Sequence, residues 1–427
     1  MRKSSLPFLF ACMLLTTMTT CPAFADDAAP PVPMGATQGA QLHTQQIPAD
    51  AGPSPYQLKL QYTGEAWDNA EGGLHTGTAY LQNLDAQFSV DTDKAFGWTG
   101  GRAFFEGFYN SSRSLDTQYV GAAQDPSVID TSGQTMFRLY QAYYDQNLGN
   151  TDLLLGIYDI QTEFGNTKPM DIFFNGAYAW NTALDQSGSQ GLNGPSTYPN
   201  TAPAFRLRQK LDDQWSVQGA ILDGMADSAK YPGVNSVEIG KKEGVFGIGE
   251  IDYTPIPRTK IMVGYWGYTS KFDTLNQTNR DGSTHQVYGS NGGYIGGATR
   301  LYTIQGKRGL DGFVNLGVAD PTVNQIDRTI NLGLNFTGML EARPLDKFGV
   351  AMSVAGASDP YRKAQLAQGD SVEHYETNFE MTYRAPINDW LTLQPDVQYW
   401  IHPNVDPTLK NDLLFGVHFE IGHLFNM

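Results

Sequence analysis

The sequence predicts an all-β fold: a transmembrane antiparallel β-barrel of about 16 strands with short periplasmic turns and long external loops. Three observations predict it. The chain opens with an export signal, alternates apolar and polar residues along most of its length, and joins the alternating segments by connections that are short and long in turn.

The export signal comes first. Arg2 and Lys3 precede an apolar run from Leu6 to Leu15, and Ala23-Phe24-Ala25 offers small residues for cleavage. Residues 1–25 are therefore expected to be a signal peptide. Both cysteines, Cys12 and Cys21, fall inside it. Cleavage leaves 402 residues without a thiol, which excludes a disulfide, a cysteine nucleophile and a thiolate metal site. It also takes the net charge from −16 to −18, which excludes nucleic acid as a natural partner.

No later stretch reaches the roughly 18 to 20 apolar residues of a membrane helix. Yet 12% of the residues are aromatic and 46 are glycine. A barrel hides its apolar face in alternation, so it reads as polar on average.

Residues 26–55 are rich in Ala, Pro, Gln and Asp and lack apolar periodicity. They are expected to form a flexible periplasmic extension. Residues 56–427 are expected to form the barrel. Alternation is weaker over 56–64, 79–90, 98–109, 135–147, 152–160, 204–211, 215–224, 246–253, 259–268, 293–302 and 311–319. It is clear over 330–336, 348–354, 375–384 and 391–401. The last segment, 413–427, sets Leu413, Phe415, Val417, Phe419 and Ile421 against Leu414, Gly416, His418 and Glu420. A strand this long at the very C-terminus fits the closing strand of a barrel.

The connections keep the same rhythm. Those at 91–97, 148–151, 212–214, 254–258 and 385–389 are short. Those at 110–133, 161–203, 225–245, 269–292, 320–327 and 358–371 are longer and polar. Two, 303–309 and 337–346, are long for periplasmic turns.

Side-chain chemistry excludes several functions. There is no Gly-x-Ser-x-Gly elbow, no His-Glu-x-x-His and no phosphate-binding glycine loop. The seven histidines lack metal-ligand spacing; His374 and His402 are expected at the lumen or rim. No enzyme activity, metal or cofactor is expected.

Two strands carry informative charge. Arg102 and Glu106 share one face, opposite Ala103, Phe105 and Tyr109. Arg206, Arg208 and Lys210 share a face opposite Phe205, Leu207 and Leu211. Lys or Arg facing lipid near the bilayer midplane costs about 2–4 kcal/mol, so these charges are expected to face the lumen. The connection 161–203 holds Glu163, Tyr178 and Trp180 and runs directly into the Arg206 strand. Loops of this length commonly carry function. Folded inward, this one is expected to narrow the channel and bring Tyr178 and Trp180 to a permeating solute, since aromatic faces pack on sugar rings.

The chain resembles the carbohydrate-selective porins of the OprB type. The resemblance covers nearly all residues after Tyr62. It rests on Tyr62-Thr63-Gly64, Leu84 to Phe88, Gly97 to Gly100 and Leu139 to Gln146. Gly156 to Asp159, Glu163-Phe164, Phe173 to Asn175 and Tyr198-Pro199 continue it, with Arg206 to Arg208, Gly264 to Trp266 and Gln398 to Pro403. It implies a 16-stranded outer-membrane barrel that passes small sugars by diffusion through a channel narrowed by charged residues. Outer-membrane lipid and the outer-membrane assembly machinery then become partners. Such barrels usually end in Phe, whereas this one ends in Met427. Two alternatives stay open: a general, mildly cation-selective porin, suggested by the acidic net charge, and a soluble sugar-binding or structural β-protein.

Overall fold

The computed structural model of the protein describes residues 46–47, 54–187, 194–226 and 244–427. The predicted signal peptide, most of the 26–55 segment and most of the 225–245 connection lie outside these residues.

Alternating sequence becomes strand throughout. In chain order these are β1 Tyr56–Gly73, β2 Gly77–Asp91, β3 Gly101–Asn110, β4 Met136–Leu148, β5 Thr151–Tyr158, β6 Ala202–Lys210, β7 Trp215–Asp223, β8 Val245–Tyr253 and β9 Lys260–Tyr268. After β10 Lys271–Thr278 and β11 Thr284–Tyr288 come β12 Asn291–Gln305, β13 Arg308–Ala319, β14 Ile326–Thr337, β15 Lys347–Ala357, β16 Tyr375–Pro386, β17 Leu391–Ile401 and β18 Lys410–Asn426. Sixteen of them close into one barrel, each hydrogen-bonded to its sequence neighbours, with β9 joined to β12 and β18 joined to β1. Every expected strand overlaps one of these sixteen. The pair β10–β11 forms a separate hairpin inside the 269–292 connection, which the sequence did not indicate.

The closing seam is the C-terminal strand. It pairs antiparallel with β1 from Gln57↔Asn426 to Gly73↔Lys410. The Met427 N–H adds a last bond to the Tyr56 carbonyl at 3.0 Å. β1 runs nine residues past its expected end, from Gly64 to Gly73. Its inward Trp67 and Asn69 are 2% and 1% exposed, under loops that the sequence does not place.

Turns and loops segregate to opposite ends. Gly149 takes φ +80° in the two-residue turn between β4 and β5, a conformation that side chains disfavour. Between β12 and β13 only two residues are left over, so the long 303–309 connection shrinks to a tight turn. The 337–346 connection stays long. At the loop end, the helix Asp359–Gln368 is capped by Ser358, whose hydroxyl accepts from the Tyr361 N–H.

Parity decides which side chains meet lipid. On β14 and β15, Leu332 is 41% exposed and Val350 38%, whereas Asn331 and Ser353 are 0% exposed. The outward face is an apolar belt, as a lipid-facing wall requires. The inward face is not simply solvated wall, because two loops fold against it.

Candidate functional site

The connection between β5 and β6 folds into the barrel. Its sequence supplies its own local structure: Asn175 caps the short helix Gly176–Ala179 by accepting from the Ala177 N–H, and Asn181 caps Thr182–Asp185 through the Leu184 N–H. Its apolar residues cover inward residues of the wall. Phe164, Trp180, Ala183 and Leu184 join Phe246, Ile248, Met262 and Trp266 in one buried cluster.

Wall carboxylates and amides hold the loop backbone. Glu380 accepts from the N–H groups of Phe174 (2.6 Å) and Asn175 (3.0 Å). Glu250 accepts from the Gly165 N–H at 2.7 Å and the Tyr294 hydroxyl at 2.6 Å. Asn331 and Gln394 donate side-chain N–H to the carbonyls of Ala177 and Ile172, each at 2.6 Å. The β3–β4 connection is held in the same way: Glu376 accepts from the N–H of Ala123 (2.7 Å) and Gln124 (3.0 Å). Inside these loops burial pushes Asp130 and Asp171 up to about 6, and Asp159 up to about 7.

Arg206 and Arg208 face inward, as parity predicts. Arg206 is 1% exposed. It pairs with Glu163 (2.9 Å), Asp145 (3.6 Å) and Asp152. Arg208 is more open and binds Glu163 at 3.1 Å and Gln218 at 2.9 Å. Gln218 passes the network to Glu250 at 2.9 Å, and Lys260 reaches Glu250 at 3.3 Å and Asp252 at 3.1 Å. A continuous chain of charged groups, bridged by the neutral Gln218 amide, thus crosses the wall from β4 to β9 and includes Glu163 of the loop.

The other expected residues are placed differently. Arg102 and Glu106 both face inward but do not pair. Glu106 is 2% exposed and accepts from Gln87 (3.1 Å) and Gln141 (2.6 Å). Arg102 donates to Ser89 at 2.9 Å and to the Ile47 carbonyl at 2.5 Å. Ile47, one of the few described residues of the expected N-terminal extension, is 1% exposed against the inner wall.

Tyr178 and Trp180 are 0% exposed. Tyr178 packs on Phe173 and Phe313, with ring centroids 4.9 and 6.3 Å away, and its hydroxyl donates to Asn378 at 3.3 Å. Both rings pack on protein, Tyr178 against Phe313 and Asn378 of the wall and Trp180 in the cluster of Phe246 and Trp266. Asp145, Asp152, Gln218, Glu250 and Glu380, which no motif singles out, also lie at inward parity. That was the signal available for them.

Beside Glu163 and Arg208 lies a cavity of about 950 Å³, bounded by the loop from Thr162 to Asp171 and by the turn ends of the strands from β6 to β15.

The model of the carbohydrate-selective porin family, OprB, matches residues 75–422. The chain belongs to this family. This porin is 26% identical over 404 residues to Porin B of Pseudomonas aeruginosa, covering 86% of this chain and 87% of that protein. Its fold is similar to the high-pH structure of Pseudomonas putida OprB, with a TM-score of 0.78 at 21% identity, covering 86% of this chain and 94% of that one. The outer-membrane channel DcaP of Acinetobacter baumannii shares the architecture at a TM-score of 0.53 and 10% identity, over 86% and 97% of the two chains. The porin resides in the bacterial outer membrane, as its fold and family require.

Proposed function

We propose that this porin lets small sugars, monosaccharides such as glucose, diffuse into the periplasm past a shallow site at Glu163 and Arg208. The observation that carries the reading is the inward loop, which sets Glu163 against Arg208 at the edge of the cavity. A carboxylate accepts from sugar hydroxyls and a guanidinium donates to them. Passage requires that binding stay weak, and both groups keep contact with water: their side chains are 20% and 39% exposed.

The remaining candidates support this pair. Arg206 fixes Glu163 through their ion pair. Arg102 and Glu106 brace the neighbouring wall, and Tyr178 and Trp180 hold the loop. No catalytic step or cofactor enters the reading. Outer-membrane lipid covers the apolar belt, and the assembly machinery engages β18.

Liposome swelling with glucose, larger oligosaccharides and amino acids of matched size tests the reading. Glucose is expected to enter fastest, and Arg208→Ala or Glu163→Ala to reduce the advantage several-fold. Equal rates for all solutes of one size in the wild type overturn sugar selectivity.

A further inference from the structure

We propose that the cavity beside the inward loop favours hexose derivatives that carry an anionic group, such as sugar acids, over neutral sugars. The proposal rests on the sugar-porin reading above and names the solute class of the same lumen.

The cavity has a charge opposite to that of the chain. Seven Lys and Arg side chains line it, against the three carboxylates Glu163, Asp171 and Asp311. The whole chain carries −16. The difference arises because carboxylates of the inner wall are turned to internal use. Glu65, Glu106, Glu250, Glu376 and Glu380 are between 0% and 2% exposed. They accept hydrogen bonds from loop N–H groups and neighbouring side chains, so a solute does not meet them directly.

Within the lining, some cations are already neutralised. Arg300 grips Asp311 through two bonds of 2.6 and 2.9 Å. Lys260 lies between Glu250 and Asp252. Arg208 is paired with Glu163. Lys168, Lys307 and Lys347 also line the cavity, and among the described residues none of them has a carboxylate within ion-pair distance. They come from the loop, from the β12–β13 turn and from the start of β15, so they converge from three directions.

The physics follows. A recess with low-dielectric walls and one sign of charge concentrates counter-ions. Its volume suits a small solute. A neutral sugar gains only hydrogen bonds there, whereas a sugar acid adds charge-assisted contacts to the three ammonium groups. Lys168 and Lys307 are exposed and Lys347 is half-buried, and solvent around the two exposed groups keeps the added attraction weak enough for release.

The experiment uses the full-length porin in planar bilayers and liposomes. A potassium chloride gradient is expected to give a reversal potential of anion-selective sign. Gluconate and glucose 6-phosphate are the charged probes, one carrying a carboxylate and the other a phosphate, with glucose as neutral reference. At least one charged probe is expected to pass faster than glucose, and which one does identifies the preferred group. Lys168→Gln, Lys307→Gln and Lys347→Gln together are expected to lower passage of that probe several-fold and leave glucose unchanged. A cation-selective reversal potential, or slower passage of both charged probes than of glucose, overturns the proposal while the sugar-porin reading stands. If glucose also fails to pass, the sugar-porin reading falls and takes this one with it.

Discussion

The two charged regions of the interior make an instructive pair. Along β16, β18 and β1, acidic side chains are sealed: Glu376 and Glu380 hold loop backbone, and Glu65 accepts from Trp67, Ser127 and His418 at 2.7, 2.6 and 2.9 Å. At the turn ends of β6, β9, β12 and β15, basic side chains remain in contact with the cavity. The difference follows from hydrogen-bond roles. An inward-folding loop brings unpaired N–H groups, and a carboxylate can accept them while an ammonium or guanidinium cannot. These acids are therefore consumed in fixing loops, and bases at the turn ends stay at the cavity.

Removing an acid from the sealed wall should break this contrast most severely. Glu380→Ala deletes the acceptor of two backbone N–H groups. Hydrogen bonds to charged groups contribute about 1.5–3 kcal/mol each, so the loop is expected to detach and single-channel conductance to rise several-fold. Wild-type conductance in that variant would show that the carboxylate does not hold the loop.

The two faces of the barrel wall give the next test. Leu332→Arg and Val350→Arg place a charge in the lipid belt at about 2–4 kcal/mol each and should block assembly, read as loss of heat-modifiable gel mobility. Thr337→Arg, which points into the cavity, should assemble normally. Arginine at the inward Asn331 and Ser353, both 0% exposed, should instead disturb loop packing.

Acidity should sharpen the sealed side. Asp130 and Asp159, both buried in the loops, have folded values of about 6 and about 7, above the ordinary carboxylate range, because burial penalises their charged form. Between the ordinary range and those values the folded state holds more protons than the unfolded one. Their contribution is therefore fully present below about pH 4 and is lost as pH rises through 6 to 7. The loops should be firmer at pH 5 than at pH 8, seen as quieter open-channel current and a thermal midpoint higher by a few degrees. Asp159→Asn should flatten that dependence.

The smallest expected effect concerns the last residue. Met427 lies beyond β18 and makes one backbone bond to Tyr56. Met427→Phe is expected to leave outer-membrane yield equal or slightly improved. Removing residues 425–427 also deletes the pairs Leu58↔Phe425 and Gln57↔Asn426 and should lower the yield.

Particular strands show how far sequence could go. In β14 to β18 the inward positions are residues such as Asn331, Ser353, Glu376 and His418, so alternation was plain. In β8 and β9 the inward positions include Phe246, Ile248, Met262 and Trp266, which lie under the loop. Both faces are then apolar, the period of two fades, and those strands read weakly. The Arg206 and Arg208 parity was legible. The burial of Arg206 was not, because Asp145 and Asp152 come from neighbouring strands and only the register brings them together. Tyr178 and Trp180 show the limit of composition: an aromatic loop residue looks the same whether it faces a solute or a wall.

The seam carries a consequence for how the molecule forms. Its bonds join residues as far apart as Gln57 and Asn426, 369 positions along the chain. Every other barrel pairing links strands adjacent in sequence or separated only by a hairpin, so loop-closure entropy favours these first and the seam last. Until then the molecule is an open sheet with two unpaired edges, β1 and β18, each a template for a stray strand. Closure removes both edges in one step. Losing either terminal strand should therefore trap the same sticky, unzipped species, and aggregation kinetics rather than final stability should report the damage.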